Sequence, residues 1–236
     1  MENKTVLFLC ERQREGFKSD LSNIKELFFE RVYPPFSKAE LEAEQLRDEM
    51  WNDINCKTVS DENVSFDPSE FIDFIQEQAY SKYEILNLMR YRTLGMWISC
   101  MCQVWEQQLY TFIVQEERHM GSKFLDSVKK RGFGFVKDVF ELHGQNLDNM
   151  KSWKKLNELR LLVNVIKHSE GDSEKKLRKL RPDYFQYNDG VDNIDLLKLF
   201  NSTLLETTLQ INEKDFIDYF DALIVSGGTC VHRFYF

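Results

Sequence analysis

The feature that most constrains the fold is a long stretch without proline. From Ser81 to Glu117 no proline interrupts the chain, and Gly95 is its one weak point. This stretch predicts a single helix of roughly 36 residues. Its middle, from Leu94 to Trp105, is apolar on every side, so we expect it at the centre of the fold. The whole chain has only 4 prolines and 10 glycines, which favours an all-α fold over turn-rich β architectures.

Shorter helices are expected before this central helix. Apolar residues recur at intervals of three and four over 17–32, which predicts an amphipathic helix that ends before two consecutive prolines. Ser37 and Glu40 have the spacing of a capping box, so a second helix is predicted from there to about residue 54. Asp67 and Pro68 then indicate a new helix start, with the aspartate as the N-cap.

The part of the chain after the central helix is also predicted to be mainly helical. Helices are expected over 149–168, 173–180 and 213–225, with Asn212 as the cap of the last one. Gly227 and Gly228 are expected to end that helix. Residues 204–211 alternate in a way that fits a strand or an extended segment, so the C-terminal extension is expected to contain at most a short strand.

Cysteine usage and hydropathy predict a soluble, cytoplasmic protein without membrane segments. The five cysteines are odd in number and scattered, which is a poor disulfide framework and suits a reducing compartment. The longest stretch without charge covers about residues 93–104, well short of the ~20 residues of a membrane span. The apolar run at the N-terminus is too short for a signal peptide.

Charge is distributed very unevenly along the chain. The formal net charge is −8, which excludes a generally basic nucleic-acid binder. Residues 151–181 nevertheless carry ten basic and four acidic residues, a local charge of +6, so the rest of the chain carries −14. This asymmetry favours a local polyanion-binding patch. The alternative is that the basic helix face packs against acidic residues of the same protein or of a partner. The ten basic residues are Lys151, Lys154, Lys155, Arg160, Lys167, Lys175, Lys176, Arg178, Lys179 and Arg181.

One helical face inside this basic region carries a candidate catalytic set. Arg160, Asn164 and His168 are spaced four residues apart and therefore lie on one face, spread over two turns. A histidine that exchanges a proton near neutral pH, together with a guanidinium, is the minimum for metal-free RNA cleavage. The imidazole takes the proton of a 2′-hydroxyl, and the cation offsets charge on the phosphate. The alternative is structural: Arg160 and Asn164 cap neighbouring elements while His168 suits the C-terminal helix dipole.

The sequence from Glu158 to Gly171, ELRLLVNVIKHSEG, resembles the signature helix of the HEPN superfamily (higher eukaryotes and prokaryotes nucleotide-binding domains). The resemblance implies an all-α domain built around a four-helix bundle, covering residues 80–185 of a single domain that spans 1–236. Residues 1–66 would then be N-terminal helices, and 190–236 a C-terminal extension. Many members of the family are metal-independent ribonucleases in toxin–antitoxin, CRISPR and antiviral defence systems, often with a composite site at a homodimer interface.

The motif is matched in part. Asn164 and His168 correspond to the Asn-x-x-x-His portion, but Val163 stands where the family has its arginine, and the nearest arginine is Arg160, one turn earlier. Glu106 resembles an acidic position that many such bundles carry on a partner helix. The resemblance therefore implies a hydrolase that cleaves RNA as a homodimer without a cofactor, with His168 as acid or base, Asn164 as orienter and the basic residues as the RNA track.

A second hypothesis is a catalytically inactive HEPN-like module that binds a partner protein or a nucleic acid. The valine in the arginine position favours it. A metal enzyme or a hydrolase with a serine or cysteine nucleophile is disfavoured, because the sequence contains no HExxH, GxSxG, P-loop or GxGxxG pattern.

Overall fold

The computed structural model describes residues 7–59, 71–121, 132–150, 152–188 and 193–229. Within these ranges the protein is all-α, as predicted, and its only strand pairing is a short antiparallel one. The described chain forms two compact units, residues 28–93 and residues 1–27 with 94–236. The single domain expected over 1–236 stays a prediction.

The α-helices range from 5 to 48 residues in length. In chain order they are α1 (Glu11–Leu27), a π-helical turn (Phe28–Val32), a 3-10 turn (Pro34–Lys38), α2 (Ala39–Val59), α3 (Ile72–His119), α4 (Gly132–Leu142), a 3-10 turn (Leu147–Asn149), α5 (Trp153–His168), α6 (Asp172–Leu180), a 3-10 turn (Pro182–Phe185), β1 (Tyr187–Asn188), β2 (Asn193–Ile194), α7 (Leu196–Phe200) and α8 (Glu213–Thr229). In the β-hairpin, Tyr187 pairs with Ile194 and Asn188 with Asn193.

The central helix is longer than its proline-free stretch suggested. Helix α3 has 48 residues, and its second half supplies the unit of residues 1–27 and 94–236 with buried Leu94, Ile98, Met101 and Ile113. Within this apolar middle, Met96 is nevertheless 64% exposed.

Helix α5 lies in the core of the same unit. Its inward row includes Leu156, Leu159 and Leu162, all fully buried, as the periodicity predicted. Gly95 of α3 faces this helix, because a Cβ at that position would lie 3.7 Å from the Ile166 side chain. Helix α5 also packs against α6 and α8, and α1 packs against α8. The outward row of α5, which carries Asn164 and His168, therefore belongs to a helix that is well packed on its inner side.

Two details, one in the unit of residues 28–93 and one in the C-terminal region, differ from the sequence predictions. Ser37 does not cap α2, because Pro34 and the residue after it start a 3-10 turn of their own, in which Ser37 Oγ donates to the Pro34 carbonyl at 2.8 Å. Helix α8 continues to Thr229 through both predicted terminating glycines. A helical glycine costs only about 1 kcal/mol, and the preceding turn is anchored by buried Leu223.

The segment before α8 differs from its prediction, whereas the cap of α8 agrees with it. Residues 204–211 contain no strand; Thr203 instead donates to the carbonyl of Ile166 at 2.7 Å and ties this segment to α5. Asn212 caps α8 as predicted, accepting from the backbone N–H groups of Lys214 and Asp215.

The predicted helix start at Asp67 and Pro68 lies outside the described residues. No helix in the described ranges combines the length and the hydropathy of a bilayer-spanning segment.

Candidate functional site

Helix α5 presents the predicted motif residues in three different environments. Val163, in the position of the family's arginine, is buried in the core at 4% exposure. Asn164 and His168 are exposed on the outward row of the helix. Arg160 lies between these extremes, with a side chain that is 23% exposed. The helix therefore turns the asparagine and the histidine to solvent and the valine to the core.

Arg160 is engaged by its neighbours. Its Nε donates to Glu106 Oε1 of α3 at 2.6 Å, and its guanidinium lies 3.6 Å above the ring centroid of Phe133. That ring is in turn stacked on Trp153 and contacts Trp105, with centroid distances of 5.8 and 5.7 Å. The acidic residue that the family resemblance had indicated is thus the ion-pair partner of Arg160. The pair fixes the guanidinium against an aromatic surface.

His168 stands at the last position of α5, and among the described residues its ring has no hydrogen-bond or ion-pair partner. The preceding turn places Asn164 beside it, where the Asn164 amide Nδ2 donates to Ser173 Oγ of α6 at 3.3 Å. Arg160 and His168 are eight residues apart, so their Cα atoms are separated by about 12 Å along the helix axis. Within one chain the two side chains are therefore not adjacent.

The basic residues divide into two groups. Four of them pair with acidic residues of the same chain, which was the alternative to a polyanion-binding patch. Arg178 bridges Glu174 and Asp195. Arg160 pairs with Glu106, and Lys155 pairs with Glu158 of α5. Arg181 pairs with the same Glu158, with Asp215 of α8 and with Asp183 in the turn that follows α6.

The second group is solvent-exposed and makes no ion pair within the described chain. Helix α6 carries three of these lysines on the face opposite its buried Leu177. Because 100° separates successive residues, the three lysines fall within about 100° and form one cationic surface along about one turn. The exposed lysines are Lys154, Lys167, Lys175, Lys176 and Lys179. Lys151 lies outside the described residues.

A polar network that the sequence did not predict joins α5, α8 and the turn after α6. Glu158 Oε1 accepts from Lys155 at 2.8 Å, from Arg181 at 2.9 Å and from the Tyr219 hydroxyl at 2.8 Å. Asp215 accepts from Arg181 at 3.1 Å and from the Tyr184 hydroxyl at 2.7 Å. The only signal in the sequence was the acidic residues scattered between the basic ones, which carry no information about pairing across helices.

Burial of this network shows in its pKa values. The pKa values of the Tyr184 and Tyr219 hydroxyls are raised, chiefly because burial disfavours the phenolate. The pKa of Asp183 is lowered, chiefly by its hydrogen bond from Arg181. The Tyr184 hydroxyl donates to Asp215 and the Tyr219 hydroxyl donates to Glu158, so the network ties α5, α8 and the turn after α6 together.

A second buried polar pair joins α3 to α4. The Nε2 atom of His143 lies 2.8 Å from Glu117 Oε1, and the two side chains are 5% and 2% exposed. The sequence had singled out neither residue, because each looked like an ordinary polar residue near a helix end. Removal of one member of a buried pair of this kind is strongly destabilising.

The buried Cys102 is not a reactive thiol, and no metal-binding cluster is found in the described residues. Burial, followed by the charge of Glu106, raises the pKa of the Cys102 thiol to about 12, so the thiol stays protonated and is not a nucleophile at neutral pH. No group of three or more histidine, cysteine, aspartate or glutamate residues within the described ranges is placed to hold a metal ion.

Comparisons with known proteins identify no relative: no family model, curated protein or solved structure matches this chain.

Proposed function

We propose that this chain is a metal-independent endoribonuclease of the HEPN type, acting in a prokaryotic defence or toxin system in the cytoplasm. The observation that carries the proposal is the exposed His168, whose ring has no partner in the described chain and lies one turn from Asn164 on the outward row of α5. Five exposed lysines without an ion pair in the described chain lie on the same two-helix hairpin and supply positive charge for an RNA backbone.

The proposed reaction uses the 2′-hydroxyl of the RNA as the nucleophile. His168 in its neutral form takes the proton of that hydroxyl, and the oxygen attacks the adjacent phosphorus. The bond to the 5′-oxygen breaks, and a protonated imidazole returns a proton to that leaving oxygen. The products are a 2′,3′-cyclic phosphate and a 5′-hydroxyl. Asn164 orients the imidazole or holds a phosphate oxygen.

Arg160 is the proposed source of the cation that offsets charge on the phosphate. Its Nε is held by Glu106, so its terminal nitrogens are the groups left for a phosphate oxygen. Because about 12 Å of helix separates Arg160 from His168 in one chain, we place the two on the same phosphate only in a homodimer, where each chain supplies one of them. The family resemblance supports this arrangement.

The direct test is the reaction itself. Purified protein is incubated with end-labelled RNA in the presence and absence of EDTA, and the product termini are identified. We expect cleavage that EDTA does not slow and fragments that end in 2′,3′-cyclic phosphate. Cleavage that requires a divalent ion, or fragments with 5′-phosphates, would contradict the proposed mechanism.

A second candidate function is a catalytically inactive module that binds a nucleic acid or a partner protein. Two observations favour it: Val163 is buried in the position of the family's arginine, and Arg160 is already paired with Glu106 and stacked on Phe133. This function predicts salt-dependent RNA binding without any product even at high protein concentration.

The endoribonuclease and the inactive module in its nucleic-acid-binding form both predict that the exposed lysines of α6 contact the RNA backbone. Replacing Lys175, Lys176 and Lys179 together by glutamine is expected to reduce the slope of log affinity against log salt by about 2, since each phosphate contact on a single strand contributes about 0.7. The measurement is fluorescence anisotropy with labelled RNA over a salt series. The matched control replaces the exposed Lys38 and Lys214 by glutamine and is expected to leave the slope unchanged. An equal loss in both variants would show that the α6 surface is not the RNA track.

A further inference from the structure

The unit of residues 28–93 leaves a large part of its apolar surface uncovered. Its buried apolar residues within the described ranges are few: Phe28, Ala39, Ala43, Ile75 and Tyr91. Large apolar side chains of the first half of α3 instead face solvent, among them Phe74 at 51%, Ile85 at 58% and Met89 at 43% exposure. Exposed apolar residues that line up on one element, unlike single scattered ones, indicate an interaction surface.

These side chains form one row on α3. At 100° per residue, Phe74, Ile85 and Met89 fall within a sector of about 60°. Gln78 lies in the same sector and Ser81 lies about 20° beside it, and both are uncharged. The row is about 22 Å long, from position 74 to position 89, which is the length of a four-turn helix. We call Phe74, Gln78, Ser81, Ile85 and Met89 the apolar row.

An acidic row runs beside the apolar row. Asp73, Glu77 and Glu84 lie within about 40° of one another on the adjacent sector of α3, and all three are exposed. None of them makes an ion pair within the described chain, whereas Lys82 pairs with Glu42 of α2. Residues 28–93 as a whole contain fourteen acidic and seven basic residues, a formal charge of −7.

We propose that the apolar row and the acidic row together form a docking surface for a basic amphipathic helix of a partner protein. The apolar face of such a helix covers Phe74, Ile85 and Met89, and its lysine or arginine flank meets Asp73, Glu77 and Glu84. Apolar anchors at helical spacing with a charged flank are the pattern of helix-in-groove recognition. The charge selects the partner: a second copy of the same surface would bring two acidic rows together and is disfavoured.

The test uses a synthetic amphipathic helix of about 18 leucine and lysine residues as the probe. Its binding to the full chain is measured by fluorescence anisotropy, beside a scrambled peptide of the same composition and a leucine–glutamate helix. We expect the lysine helix to bind at least tenfold more tightly than either control. Substituting Ile85 and Met89 by serine should weaken binding about tenfold or more, because their apolar burial is lost.

The acidic row has its own variant and control. Glu77→Gln with Glu84→Gln is expected to weaken binding about threefold to tenfold at low salt and to flatten its salt dependence. The matched controls are Leu199→Ser, which alters an apolar residue of α7 that is 65% exposed, and Glu206→Gln, which alters an exposed acidic residue of the other unit. Neither is expected to change the affinity. All these positions are exposed, so circular dichroism should show each variant folded.

Three outcomes would overturn the proposal. The lysine helix binds no better than the scrambled peptide; the row variants and the control variants bind it equally well; or sedimentation shows a dimer that Ile85→Ser with Met89→Ser converts to a monomer. The last result would assign the surface to a second copy of this chain.

Discussion

Substitution of His168 by alanine is expected to reduce RNA cleavage by about 10²- to 10⁴-fold without unfolding the protein. The imidazole is the proposed proton acceptor, and a positioned acid–base group contributes a factor of that size. The ring is exposed and has no hydrogen-bond or ion-pair partner among the described residues, so its loss removes no such interaction from the fold. Rates are measured on end-labelled RNA in EDTA, and stability by urea denaturation of the same samples.

A matched control for His168→Ala is available in the chain. His119 ends helix α3 as His168 ends α5, and its side chain is 81% exposed. His119→Ala is expected to retain full activity. Asn164→Ala should give an intermediate loss, because Asn164 is a positioning residue. Unchanged cleavage in His168→Ala would refute the catalytic proposal, and equal losses in the two histidine variants would point to a cause other than acid–base chemistry at His168.

Substitution of Arg181 by alanine is expected to lower the free energy of unfolding by about 2–3 kcal/mol. Its guanidinium donates to Glu158, Asp183 and Asp215 at 2.9, 2.7 and 3.1 Å. Glu158 and Asp215 are largely buried, with side-chain exposures of 14% and 6%, and they would lose a compensating charge. Arg181→Lys should recover part of the loss, because it keeps the charge but not the fork of donors. Chemical denaturation measures all three proteins.

The comparison with Lys176→Ala separates folding from RNA binding. Lys176 is exposed on α6 and has no ion pair in the described chain, so its removal should change stability by no more than about 0.5 kcal/mol. It should, however, lower RNA affinity, whereas folded Arg181→Ala should bind RNA as the native chain does. The opposite pattern, with Arg181→Ala stable and defective in RNA binding, would place Arg181 in the RNA track.

The helical fold was predictable because its signals are local. Apolar periodicity identified the buried row of α5, and the cap at Asn212 identified the start of α8, since both depend on neighbours within one or two turns. The apolar centre of α3 was predicted to lie at the centre of the fold, but apolar character alone does not say how many sides of a helix other elements cover. Met96, one of these apolar residues, faces solvent.

The candidate site was predictable only as a list of residues. Helical spacing placed Arg160, Asn164 and His168 on one side of α5, and the structure distributes them between an ion pair and solvent. Whether a basic residue binds a ligand or an acidic neighbour depends on tertiary contacts. Arg181 and Lys176 look alike in the sequence, yet only the first meets carboxylates from α5 and α8. Spacing within a helix carries no record of such contacts.

The buried pair of Glu117 and His143 has a consequence for how this sequence can diverge. Loss of His143 alone would leave the buried Glu117 carboxylate without its imidazole partner, whereas apolar residues at both positions can be nearly neutral. Loss of the imidazole at position 143 should therefore be strongly counter-selected while Glu117 is present, and the two positions should change together. In diverged copies of this chain, the two positions are expected to be either both polar or both apolar, which makes them a covarying marker for the contact between α3 and α4.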